Sequence, residues 1–252
     1  MMKNRGYILE KIRLIYIQPL TYILWVLHLG FMVVYQKFNN ISSMREYCEI
    51  FWMDYYLWMI VIPLITATHR IGIFNVSYYS LSRCNDIRVH IRTDMIVMII
   101  STLFLVITGM FVPISFIQIF EPCLIDKTFS NQIVLFMYVF VRYSLVAIFV
   151  QLIIYLLYFC VTKIQQNSYV VPAMPFILFV ISALPTMIFS NNRFILEVLN
   201  YSAGGIIYGE DLSFNYIISL NVHVFLQVLL VGGMLHFMKN HMEFMEYENK
   251  SA

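Results

Sequence analysis

Six stretches of this sequence, about 19–36, 51–68, 95–118, 133–162, 170–189 and 216–238, are apolar over the length that a membrane-crossing helix requires. A hydrocarbon core of about 30 Å takes roughly 20 residues at a rise of ~1.5 Å each. The rest of the composition agrees with that reading. With 61% hydrophobic and 12% charged residues in 252, the chain lacks the polar surface a soluble domain of this size displays. A disordered chain would need the opposite balance. The expected fold is all-α: a polytopic membrane protein with six transmembrane helices in one domain, 1–252. The fourth run is longer than the bilayer, so its first turns project or the helix tilts. The first run has no small-residue cleavage site and reads as a retained span. Cys48, Cys84, Cys123 and Cys160 are scattered without metal-type spacing, and Cys48 and Cys123 either pair on one side or stay free thiols.

Lys and Arg set the orientation. With both termini cytoplasmic, the inner segments carry Lys3, Arg5, Lys11, Arg13, Arg70, Arg83, Arg88, Arg92, Lys163, Lys239 and Lys250. The outer loops carry only Lys37, Arg45, Lys127 and Arg193. A multi-pass protein of the cell membrane, N-in and C-in, is the expectation. A net charge of +2 with no long basic stripe gives no reason to expect a nucleic-acid partner.

Three segments outside the spans carry pattern. In residues 1–18, Ile8, Ile12 and Ile15 recur at helical spacing among Glu10, Lys11 and Arg13, as in a helix lying in the membrane interface. Pro19 disfavours helical geometry at Gln18 and predicts a bend there. The alternative is a longer first span with a charged flank. In the inner segment 71–94, Leu81, Cys84, Ile87 and Ile91 share one helical face. Arg83, Asp86 and His90 form a second face, and Arg88 and Arg92 a basic i, i+4 row. Such a helix either docks on a cytoplasmic partner or anchors by charge alone, and its length exceeds a simple connector. The outer segment 190–215 mixes apolar residues with Gly204, Gly205 and Gly209, which permit tight turns. It reads as a re-entrant gate or as an interfacial loop.

Catalytic signatures are not found. There is no Gly-Lys dipeptide and hence no phosphate-binding GxxxxGK[ST] loop, no HExxH and no GxSxG. The expectation is a non-enzymatic chain without a metal or cofactor of its own. Two ionisable residues fall inside the predicted spans, Asp54 and Arg142. Charge in hydrocarbon costs about 2.5 kcal/mol or more at a helix centre. Either the two pair in the outer half of the membrane, or Asp54 sits among headgroups while Arg142 reaches outward. Spans one, three, five and six read as free of interior carboxylates, which favours an external energy source over ion coupling.

An interfacial helix, an elbow, six spans, an amphipathic inner helix after span two and a re-entrant outer segment before span six together resemble the ABC-2 type permease subunits of ABC exporters. The closest-looking members are similarly sized permeases of Gram-positive peptide systems, which confer lantibiotic or bacteriocin immunity or export amphipathic peptide toxins such as phenol-soluble modulins. The resemblance covers nearly the whole chain and rests on architecture. It implies that the inner helix is a coupling helix that docks on a nucleotide-binding subunit. Ser82–Arg83 matches its start, and Asp86, Arg88 and Arg92 are its docking charges. Where the family often has Gly-Lys before span three, Arg92-Thr93-Asp94 stands here, and the register stays open. It further implies an ABC ATPase partner holding ATP and magnesium, a second permease copy (itself or a sister chain), and contact with membrane lipid. The implied function is ATP-driven export of an amphipathic or hydrophobic substrate, most readily a toxin or antimicrobial peptide. A membrane-embedded peptide-immunity protein without transport, and an intramembrane enzyme with polar residues converging at one depth, are the competing readings.

Overall fold

A computed structural model describes residues 2–38, 57–74, 87–120, 129–160, 168–188 and 214–251, and every secondary-structure element among them is helical. Helix α1 (Met2–Tyr16) is followed by α2 (Pro19–Phe38). Next comes α3 (Ile62–His69), extended at both ends by π-helical turns, Leu57–Val61 and Arg70–Phe74. Then follow α4 (Ile87–Phe120) and α5 (Phe129–Cys160). A 3-10 turn, Ser168–Ala173, leads into α6 (Met174–Ile188), and α7 (Phe214–Ser251) completes the order.

The elbow falls where Pro19 predicts it: α1 and α2 meet at 57° across Ile17–Gln18. Proline's missing N–H is harmless at the first position of α2, while its ring opposes helical geometry at the residue before. Local bonds seal the corner. The Ile17 N–H donates to the Arg13 carbonyl at 2.9 Å and the Thr21 N–H to the Gln18 carbonyl at 3.1 Å. Gln18 Nε2 donates to the Leu14 carbonyl at 2.6 Å, and Thr21 Oγ1 to that of Ile15 at 3.0 Å. The packing of α1 differs from the expectation of a helix facing lipid with its isoleucines. Ile8, Ile12 and Ile15 turn inward onto the bundle, and Leu9, Leu14 and Ile17 turn out. Lys11 lies on the inward face and is buried.

Among the described residues, three helices are long and apolar enough to cross a membrane: Val89–Val112 within α4, Phe136–Tyr158 within α5 and Asn221–Met238 within α7. A fourth is counted if Ile8–Tyr16 and Thr21–Tyr35 form one bent span. The other two predicted runs coincide with shorter apolar helices, Leu57–His69 and Val170–Ile181. Residues 51–56 of the second run lie outside the described residues. In the fifth, Pro172 sits inside the 3-10 turn and the α-helix starts only at Met174. Pro172 has no N–H to give an α-helical ladder.

One further expectation changes. Residues 87–94, the end of the inner segment 71–94, are the opening turns of α4 rather than part of a separate short helix. The polar end of the chain continues α7 as helix to Ser251.

Helix α5 is the centre of the bundle, with 67% of its apolar window buried against 17% for α7. Helix α7 lays Asn221, Val224, Val231 and Leu235 inward at helical spacing and packs along α5. Between helices in lipid the hydrophobic effect supplies little, because the tails are as apolar as leucine; close packing and polar bonds do the holding. The placement of polar side chains in this core therefore matters more than the apolar bulk.

Candidate functional site

Helices α4 and α5 run antiparallel, and two polar layers stack along their seam. Asp94 and Ser101 lie two turns apart on one face of α4; Tyr155 and Gln151 lie one turn apart on α5.

The first layer joins three elements. Lys11 of α1 donates its ammonium to Asp94 Oδ1. Tyr155 of α5 donates its hydroxyl to Asp94 Oδ2 at 2.9 Å. His90, one turn before Asp94, brings Nε2 to within 3.2 Å of the same oxygen. Lys11 is 4% exposed and Asp94 is fully buried. A buried carboxylate is tolerable only with donors on its lone pairs, and this one has them from α1 and α5. The Tyr155 ring also packs edge-on against Phe74 at 6.1 Å, which ties in the turn that follows α3.

The second layer sits near the middle of the Val89–Val112 stretch. His69, at the end of α3, places Nε2 2.6 Å from Ser101 Oγ and Nδ1 3.2 Å from Gln151 Oε1. The Gln151 amide nitrogen donates to Thr66 Oγ1 at 2.7 Å, and Thr66 donates to the Ile62 carbonyl at 2.8 Å. All four side chains are buried. The direction of each bond follows from the ring tautomer: a proton on Nδ1 goes to Gln151 and leaves Nε2 to accept from Ser101. The layer clamps α3, α4 and α5 at one depth.

A third contact lies two turns further along α4. Gly109 permits a close approach of α2: a Cβ there would stand 3.0 Å from Trp25 Cζ3 and 3.2 Å from His28 Nε2. His28 Nε2 is 3.4 Å from the Gly109 carbonyl, and the Trp25 and His28 rings meet edge-to-face at 5.2 Å.

The site residues expected from sequence fare unequally. Asp54, Ser82, Arg83, Asp86, Gly204, Gly205 and Gly209 lie outside the described residues, as do Cys48, Cys84 and Cys123. Arg88 stands on the first turn of α4, and Arg92 is exposed on the next. Ile91 is buried, in keeping with the apolar face drawn for it, but His90 turns inward onto Asp94 instead of joining an outer charged face. Arg142 is 3% exposed, so the reading in which it reaches outward does not hold. Cys160 is a free, exposed thiol. Among the described residues no group of three or more His, Cys, Asp or Glu is placed to hold a metal ion.

The residues that do converge were missed or misread. Lys11 reads as an inner-side charge, yet on a helical wheel it stands at the edge of the face of Ile8, Ile12 and Ile15, next to Ile15, and that placement is the available signal. Asp94 and His69 fall just outside the predicted runs 95–118 and 51–68.

Fold and site together define a helical bundle with apolar helices of membrane-crossing length and polar residues paired between them. No protein-family model, no curated protein and no solved structure matches the chain.

Proposed function

We propose that the chain is the membrane-spanning permease subunit of an ATP-driven exporter, moving an amphipathic or hydrophobic substrate, most readily a peptide, out of the cell or bilayer. One observation carries the reading: an N-terminal helix bent 57° from the next is tied by a buried ion pair to the helix that rises from the inner segment 71–94. On this reading an ATPase partner docks on Ser82, Arg83, Asp86, Arg88 and Arg92. Closure of that partner pushes along α4, whose opening turns continue the docking segment. The push reaches α3 and α5 through the His69 layer, and α1 while Lys11–Asp94 holds. A stiff helix clamped at two depths moves its neighbours as one body, which is what rocking of a bundle requires. A second copy completes the translocation path, and a substrate already dissolved in lipid enters from the side.

Affinity purification from mild detergent tests this. The chain is expected to bring down an ATPase subunit, and combined replacement of Arg83, Asp86 and Arg88 by alanine to abolish that complex while the chain still inserts. Recovery of the chain with no ATPase would favour a peptide-immunity protein that binds without transport.

One contact favours a second reading. Ser101 Oγ and His69 Nε2 stand at 2.6 Å with Gln151 on the other ring nitrogen, the spacing of a nucleophile, its base and an orienting group. Against it, the Ser101 hydroxyl is 2.7 Å from the Val97 carbonyl of its own helix, and the trio is buried among α3, α4 and α5. Labelling of Ser101 by a fluorophosphonate would establish the hydrolase reading, and absence of labelling leaves the layer as a clamp.

A further inference from the structure

The Lys11–Asp94 pair is an odd device if its purpose is adhesion. Helix α1 meets the bundle through a narrow face, Ile8, Ile12 and Ile15, and the edge of that face is given to a charge. An ion pair taken out of water loses about as much in hydration as it regains in attraction, and a well-packed apolar pair in its place commonly holds tighter. The pair therefore fixes where α1 sits while adding little to how firmly it is held.

The two ends of the pair are also prepared unequally for separation. If Lys11 leaves, its long stem carries the ammonium to water. Asp94 stays behind with the Tyr155 hydroxyl donating to Oδ2 at 2.9 Å. A hinge is present as well, since the helical ladder is interrupted between α1 and α2 at Ile17–Gln18. A helix that rolls away from the bundle turns the apolar face of Ile8, Ile12 and Ile15 to lipid and keeps Glu10 and Arg13 on the opposite side.

We propose that α1 is a releasable strap: Lys11–Asp94 latches it against α4, and its release swings α1 about the Ile17–Gln18 break onto the lipid surface. The inference goes beyond the transport reading and is measured on the chain alone, so failure of the ATPase to bind leaves it standing.

The test is a distance measurement between spin labels at Leu14→Cys and Ile100→Cys, both exposed positions, on α1 and α4. Cys48, Cys84, Cys123 and Cys160 are first replaced by serine, and the chain is held in lipid nanodiscs. The otherwise native chain is expected to show one main short distance with a minor long one. Lys11→Gln makes the long distance the main population. The double variant Lys11→Met with Asp94→Met loses the long distance altogether and melts at or above the temperature of the native chain. The swap Lys11→Asp with Asp94→Lys returns the native distribution. An unchanged distribution in Lys11→Gln overturns the proposal, as does a long distance persisting in the Met–Met variant. Failure of Lys11→Gln to fold also overturns it, because a strap that releases requires a folded open state.

Discussion

Replacing Gln151 by leucine isolates the middle polar layer with little change in volume. The amide makes two bonds there, at 3.2 Å with His69 Nδ1 and at 2.7 Å to Thr66 Oγ1. Thr66 keeps its bond to the Ile62 carbonyl at 2.8 Å, and His69 keeps Ser101 at 2.6 Å. One buried group, the His69 Nδ1, is left without its partner. Such a group costs about 1–3 kcal/mol in a dry core, while interhelical bonds within membranes average about 0.6 and reach about 1.7 kcal/mol. The two ranges overlap between about 1 and 1.7 kcal/mol, which becomes a fall in midpoint of roughly 2–7 °C for a chain of this size. Heat unfolding of the purified chain in detergent, followed by circular dichroism, reads it. Combining Gln151→Leu with His69→Met and Ser101→Ala removes every member that the others satisfy. That triple variant is expected to melt above Gln151→Leu alone, because an all-apolar layer leaves no orphan. A Gln151→Leu midpoint equal to wild type would refute the layer. So would a triple variant as unstable as three independent losses.

Other substitutions check the remaining contacts. Gly109→Val drives a branched side chain into Trp25 and His28 and is expected to lose about 1–3 kcal/mol by overpacking. Gly232→Ala, with no atom within 4 Å of its new Cβ, should be neutral or gain up to about 1 kcal/mol in the same melts. Tyr155→Phe keeps the ring against Phe74 and removes only the hydroxyl on Asp94, so a loss of about 1.5–3 kcal/mol isolates that charge-assisted bond. Pro19→Ala is expected to change stability by less than about 1 kcal/mol, because the N–H it restores at the first position of α2 has no helical acceptor; a larger loss would contradict the placement of Pro19 at the helix start.

The elbow was legible in sequence because its cause is local: Pro19 acts on Gln18, one residue away. The polar layers were not legible, because their partners are far apart in the chain. Lys11 and Asp94 are separated by 83 positions, His69 and Gln151 by 82, Gln151 and Thr66 by 85. A hydropathy window prices an ionisable residue as if it stood alone in lipid, so one near the end of an apolar run draws the boundary inward. The predicted runs accordingly stopped at 68, just before His69, and started at 95, just after Asp94. In the folded bundle those residues are paired, the isolated-charge penalty does not apply, and the helices continue through them. The same reasoning explains Lys11, whose position on the isoleucine face of α1 pointed inward while its charge pointed to water. The absence of interior carboxylates from the third span was likewise a product of where that span was drawn; Asp94 is inside the Val89–Val112 stretch.

On the proposed function, an outside ATPase drives movement of an amphipathic peptide through this bundle. Its most direct test is co-reconstitution of the chain and its co-purifying ATPase in proteoliposomes, with a fluorescent amphipathic helical peptide partitioned into the membrane. The account predicts peptide transfer that requires ATP and magnesium and is lost when Arg83, Asp86 and Arg88 are replaced together. Peptide retained in the membrane at the same rate with and without ATP would contradict it.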